Sequence, residues 1–500
     1  MEHFGCRAAR ADGEAVSDCL QAAGHSVRQP AEADVVIVNT CSVTAEADRA
    51  ARAFIRRAHR LNPAARIVVT GCYAQREPGE LARLPGVSAV VGNSHKALAP
   101  EIILGLASPP QVGPRQPGLH QPPEPVPGCR PLPPDWVSVQ SLMATGGIPG
   151  QAPIWADDRF AHSFLEEAQL APGSQTRPNL KIQEGCGNRC TFCVIPQTRG
   201  FSRSLAGAAV LRQVEGFVAA GGHELVLSGI NLGRWGRDLP LAEGERKPSL
   251  AALVRRIFAR TALPRLRLSS IEPMDWDAEL IALMAQFGGT RLARHAHLPL
   301  QSGSDDVLRR MHRRYRPWHY HEKVQALLRA AGPDLTLGAD VMVGFPAETD
   351  AEFEETLALI AALPFGYLHL FPFSPRPGTP GGELHAQHPV PSGAVEERIR
   401  TLRALAAEKS RAHRTRFLGR ELEAITLHTP ADLSARGRTA ALTENFLPVD
   451  LKGSQPANRL VRVRVTGLTA AGTLDALAQA QVDAPRFTSL SSSPGVAVAV

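Results

Sequence analysis

The sequence has no run of about 18 or more apolar residues, which argues against a membrane-spanning helix. Its opening, MEHFGCRAARADGEAV, lacks the apolar core of a secretory signal. A cytoplasmic protein with no membrane partner is therefore expected. A strong charge of one sign is also missing. The formal net charge of +7 on 500 residues permits a nucleic-acid partner without demanding one. What is present is an ordinary globular mixture, 44% hydrophobic and 21% charged, long enough for roughly three domains. The chain has eight cysteines. In a reducing cytosol, spaced cysteines read as metal or catalytic sites rather than disulfides.

Residues 1–105 alternate strand and helix. VVIVNTC (35–41) and IVVTGC (67–72) are β-branched apolar runs, each ending in a cysteine. Between them, Ala50, Phe54 and Ala58 fall on one helical stripe. This alternation predicts a parallel α/β domain, whose ligands gather at the carboxyl ends of the strands. Cys41 and Cys72 lie at such ends, and Cys6 follows a first strand. Cys19 reads as a core residue of a helix. Residues 106–176, rich in Pro and Gly and holding Cys129, read as a linker or insertion.

From 177 to 412, six short apolar strands alternate with helices. The expectation is an open, partial barrel of six βα units, with its chemistry at the strand carboxyl ends. Residues 413–484 show the alternation of a small β-barrel, and 485–500 read as a disordered tail.

EGCGNRCTFCVIP (184–196) carries three thiols within eight residues, Cys186, Cys190 and Cys193. Three ligands on a cubane leave one iron open for a substrate or cofactor. Structural zinc prefers four closed ligands, and no fourth Cys or His follows closely.

This Cys-x-x-x-Cys-x-x-Cys loop resembles the signature of the radical S-adenosylmethionine (SAM) enzymes. The resemblance implies a 4Fe–4S cluster whose open iron is chelated by SAM, and one-electron cleavage of SAM to methionine and a 5′-deoxyadenosyl radical. It places Phe192 near the adenine. HFGC (3–6), NTC with SVT (39–44) and TGCYAQ (70–75) resemble the N-terminal domain of the methylthiotransferases. That implies a second 4Fe–4S cluster on Cys6, Cys41 and Cys72, linked to sulfur supply. LSGINLGRWG (227–236), RLRLSSIEP (265–273), LPLQSGSDDVLRRMHRRY (298–315) and GADVMVGFPAET (338–349) resemble the subgroup acting on threonylcarbamoyladenosine in tRNA. SSIEP is the most discriminating of these. Related enzymes act on isopentenyladenosine in tRNA or on a ribosomal-protein aspartate. Cobalamin-dependent relatives usually carry an Asp-x-His-x-x-Gly segment, which this sequence lacks. A non-catalytic metal-containing RNA-binding protein is the reading from another class.

The expected SAM contacts are Glu224 and Ser228, Ser270 and Glu272, Gln301, Met342 and Gly344, all read as strand-end residues, with Arg314 reaching the SAM carboxylate. RRMHRRYR (309–316) and the helix over 395–417 offer phosphate contacts to tRNA. The C-terminal barrel resembles an RNA-binding TRAM domain, with Phe446 as its candidate stacking aromatic. Partners implied are tRNA, SAM and a flavodoxin- or ferredoxin-type electron donor, with no sulfur donor identified. After Cys6 the family usually has Lys and Asn, where this chain has RAAR. That departure and the short lead before Cys6 predict a true start upstream.

Overall fold

A computed structural model describes residues 1–5, 7–42, 44–107, 151–160, 176–240 and 247–481. Cys6, Cys129 and the predicted tail lie outside them.

The N-terminal sheet is parallel throughout, in the order β1 (Glu2–His3), β2 (Val35–Thr40), β3 (Arg66–Gly71), β4 (Val87–Gly92) and β5 (Ile154–Trp155). The last strand departs from the sequence reading. Ile154 and Trp155 belong to the presumed linker, yet they pair with Val90 and Val91. Two residues after Pro153 are too short to show a strand period.

Helix Ala45–Leu61 shows why these elements form. Thr44 caps it by accepting from the Ala47 N–H at 3.2 Å, Glu46 and Asp48 sit in its first turn, and His59 and Arg60 in its last. Ala51, Phe54, Ile55 and Ala58 bury one stripe against Val36, Val38, Ile67 and Val69. Each large side chain so buried contributes roughly 1.5–3 kcal/mol.

The second unit has six parallel strands, β6 (Asn179–Glu184), β8 (Glu224–Gly229), β9 (Arg265–Leu268), β10 (His295–His297), β11 (Thr336–Val343) and β12 (Phe365–Pro372). A short β7 (Arg203–Ser204) pairs antiparallel to β6 at the edge. Strands β9 and β10 adjoin where Ile271 N–H donates to His297 O at 3.0 Å. The result is the expected partial barrel. One face of each strand, including Leu180, Ile182, Leu225, Leu227, Leu266, Leu337, Ala339 and Val341, packs on the outer helices. The other face looks inward.

Strands β13 (Glu421–Thr426), β14 (Arg438–Thr443), β15 (Pro448–Lys452), β16 (Leu460–Leu468) and β17 (Leu474–Gln481) close into a barrel, in the order β13-β14-β15-β17-β16. Along β16, Val461, Val463 and Val465 point in while Arg462 and Arg464 point out.

Candidate active site

The cysteine loop leaves the carboxyl end of β6. It is held by Thr191, whose N–H donates to Met311 O at 3.2 Å and whose hydroxyl donates to Arg310 O at 2.9 Å. From the other side, Gly381 N–H donates to Thr191 O at 2.8 Å. Phe192 lies partly buried against the barrel core. Cys186 is buried, while Cys190 and Cys193 are half-buried. Burial pushes the Cys193 thiol up to about 12, and Cys190 and Cys186 push it the same way. Thiols crowded like this ionise together only with positive charge among them, which iron ions supply. Donors already point at the sulfurs. Asn231 Nδ2 lies 3.6 Å from Cys186 Sγ, and Arg313 Nη1 lies 3.2 Å from Cys190 Sγ. The donor set therefore fits an iron–sulfur cluster.

Buried polar atoms without a hydrogen-bond partner among the described residues gather nearby. They are Ser228 Oγ, Ser269 Oγ, Asn231 Oδ1 and Gln301 Oε1. All four come from the carboxyl ends of β8, β9 and β10 or the loops just beyond. Gln301 also holds φ at 62°, a strained value for a residue with a side chain. A polar molecule such as SAM, seated here, would satisfy these atoms.

Two expected contacts, Glu224 and Arg314, fall elsewhere. Glu224 begins β8 and so sits at the opposite, amino end of the barrel. It pairs with Arg267 at 2.9 Å and with Arg177 and Arg265 at 3.3 Å each, and these cations hold its carboxyl at about 2 despite burial. Arg314 pairs with Asp275 at 2.8 Å. Its neighbour Arg313 is the residue beside Cys190, and its Nη2 donates to both Glu272 oxygens at 2.7 and 2.6 Å. Gly344 has φ +75°, and a Cβ there would meet Val395 Cγ2 at 2.5 Å. On that side its close neighbour is helix Ser392–Thr415. Ser270 is half-buried, and the unpartnered hydroxyl belongs to Ser269. Met342 is buried near the carboxyl end of β11.

The basic run is also differently employed. Arg309 and Arg316 pair with Asp305, Arg310 with Glu352, Arg313 with Glu272 and Arg314 with Asp275. In helix Ser392–Thr415, Arg398 holds Glu348 and Asp350. Phe446 is packed at the amino end of the core barrel, 4.3 Å from the His295 ring and under Arg267. It is not an exposed stacking platform.

On the N-terminal side, Cys41 follows β2 and Cys72 opens a short helix after β3, both buried. A Cβ on Gly5 would lie 3.4 Å from Cys41 Sγ, so the chain entering Cys6 runs beside Cys41. Asn93 Nδ2 lies 3.4 Å from Cys72 Sγ and 2.8 Å from Thr198 O. Arg199, six positions beyond Cys193, donates to Cys72 Sγ at 3.2 Å. Sequence reasoning missed Asn93, Arg199, Asn231, Ser269 and Arg313. The only local signal was the nearness of Arg199 to the cysteine loop.

A partial barrel with a three-cysteine loop at the end of its first strand defines a radical SAM enzyme, and residues 180–360 match the radical SAM superfamily. Residues 1–92 match a family described as uncharacterized protein family UPF0004. The chain is 32% identical over 465 residues to threonylcarbamoyladenosine tRNA methylthiotransferase MtaB of Bacillus subtilis, covering 92% of each chain. The Thermotoga maritima protein of that name is 32% identical, with 85% of each covered. A tRNA-2-methylthio-N(6)-dimethylallyladenosine synthase of Cereibacter sphaeroides is 33% identical, with 93% of this chain and 95% of that one covered. This chain belongs to the radical SAM methylthiotransferase family.

Proposed function

We propose that this protein places a methylthio group on C2 of N6-threonylcarbamoyladenosine in tRNA, in the cytoplasm, using SAM and two 4Fe–4S clusters. The observation that carries the reading is Arg199. It leaves the loop of Cys186, Cys190 and Cys193 and donates to Cys72 Sγ of the other cysteine set. A radical source and a sulfur-handling site on one interface are what methylthiolation of an inert C–H bond needs.

Cys186, Cys190 and Cys193 would hold one cluster and Cys6, Cys41 and Cys72 the other. When bound, the first supplies the electron that cleaves SAM, and the second handles sulfur. Arg313 and Asn231 place donors on the first set of sulfurs, and Arg199 and Asn93 on Cys72. Ser228, Ser269 and Gln301 offer polar atoms to SAM. A flavodoxin or ferredoxin would deliver the electron. The TRAM-like barrel, with Arg462 outward, suits tRNA phosphates.

Relatives named for the threonylcarbamoyl and dimethylallyl substrates are about equally similar, so identity does not choose between them. The SSIEP segment (269–273) favours the former. Mass spectrometry of tRNA nucleosides from a strain lacking the gene tests this. The methylthiolated threonylcarbamoyladenosine should vanish and its precursor accumulate. Loss of the methylthiolated dimethylallyl base instead would overturn the assignment. Reconstituted protein should hold about eight irons per chain.

A further inference from the structure

The inner face of β10, β11 and β12 carries a polar cluster that none of the expected site residues includes. Asp340 on β11 and His369 on β12 are direct register partners, and His297 on β10 pairs with Gly338, two residues along β11 from Asp340. Leu337, Ala339 and Val341 take the opposite face, against the helices. His297 Nε2 and His369 Nδ1 each lie 3.1 Å from an oxygen of Asp340. Tyr367 Oη lies 2.9 Å from His297 Nδ1 and 2.8 Å from His295 Nε2.

One set of proton positions satisfies this chain with every ring neutral. His295 Nε2–H donates to Tyr367, whose O–H donates to His297 Nδ1. His297 Nε2–H and His369 Nδ1–H then donate to the two oxygens of Asp340. The cluster is thus prearranged, and Phe446 closes the amino end beneath His295. Its open end is His369, whose side chain is 59% exposed against 7% for His297. The Nε2 of His369 has no hydrogen-bond partner among the described residues.

We infer that His369 and Asp340, backed by His297 and Tyr367, read the polar N6 substituent of the substrate base. This rests on the threonylcarbamoyl reading and deepens it. That substituent carries urea N–H groups, a hydroxyl and a carboxylate. Asp340 accepts from an N–H. With its Nδ1–H on Asp340, His369 Nε2 accepts from the hydroxyl. A dimethylallyl group offers none of these and would cover His369 Nε2 with hydrocarbon, leaving that atom unpaired. A site built to hydrogen-bond rejects a hydrocarbon analogue more strongly than an apolar pocket rejects a polar one.

The test measures binding of reconstituted holoenzyme to one tRNA in three forms: unmodified, threonylcarbamoylated and dimethylallylated. The wild type should prefer the threonylcarbamoylated form by roughly tenfold over the other two, one good hydrogen bond's worth. In His369→Phe and in Asp340→Asn that preference should fall below about twofold, with affinity for unmodified tRNA and iron content unchanged. His369 is exposed, so its variant tests the idea even where Asp340→Asn fails to fold. A preference that survives in His369→Phe overturns this inference while leaving the threonylcarbamoyl assignment intact. A wild-type preference for the dimethylallylated form overturns that assignment as well. His297, Asp340 and His369 offer ligand atoms within 4.8 Å of one another. A preference that appears only with added zinc would therefore overturn direct reading by these side chains.

Discussion

The Nε of Arg199 lies 3.2 Å from the sulfur of Cys72, across the interface between the α/β domain and the barrel. Arg199 also pairs with Glu184 at 2.6 Å and Asp12 at 3.1 Å. Lys96 and Lys181 complete a buried set in which both lysines contact Asp12 and Glu184. Burial alone would raise both carboxyls, but the three cations hold them below their usual range. Among the described residues three cations face two carboxylates, and Arg199 is the one that reaches the cysteine. Losing Arg199 leaves two lysines against two carboxylates, so the loss is that of its charged hydrogen bonds to Glu184 and Asp12, roughly 1.5–3 kcal/mol each. Arg199→Met should lower the unfolding free energy of the metal-free protein, measured by denaturant titration, by about 3 kcal/mol or more. An unfolding free energy within about 0.5 kcal/mol of wild type would show that the network does not bind the two units together.

The same kind of contact separates two adjacent arginines. Arg313 touches Cys190 Sγ and donates to both carboxylate oxygens of Glu272, while Arg314 shares Asp275 with Arg237. Arg313→Ala should therefore cost most of the reductive cleavage of SAM and lower iron retention by the Cys186–Cys193 loop. Arg314→Ala should leave both near wild type, because Arg237 still neutralises Asp275. Iron analysis and a SAM-cleavage assay in a Cys41→Ala/Cys72→Ala background would decide. Equal loss in both variants would sink the distinction.

The choice between Arg313 and Arg314 marks where sequence reading ran out. The three-cysteine loop is local, so spacing alone exposed it. The strands were legible because β-branched runs such as Val35–Val38 bury on both faces. The turn at 311–314 has no period, so nothing in MHRRY tells which arginine turns inward. Asn93 and Arg199 reach Cys72 from distant segments, and only the folded interface joins them. Glu224 was a different failure. It precedes the apolar run of β8, and that order already put it at the amino end.

That placement makes a prediction of its own. Glu224 is buried among Arg177, Arg265 and Arg267. Glu224→Gln should destabilise the barrel by ~3–5 kcal/mol, since three guanidinium groups lose their shared carboxylate. The KM for SAM, measured on the folded fraction, should not change. A selective rise in KM with unaltered stability would return Glu224 to the cofactor pocket.

A pH dependence follows from His413. It lies on helix Ser392–Thr415, with Nε2 2.8 Å from Thr336 Oγ1 on β11. Burial, reinforced by Arg416 and Arg414, lowers its pKa from 6.5 to about 4. Above pH 6.5 the ring is neutral in both folded and unfolded chains. As pH falls from 6.5 towards 4, the unfolded chain takes up a proton that the folded one refuses, so stability drops across that window. The full loss, reached below the folded value, is about 3 kcal/mol. Urea midpoints at about pH 7.5 and about pH 4.5 should differ less in His413→Gln than in wild type. Glutamine can still bond Thr336 but does not titrate, so the comparison isolates the proton. An unchanged difference would mean that other groups set the acid response.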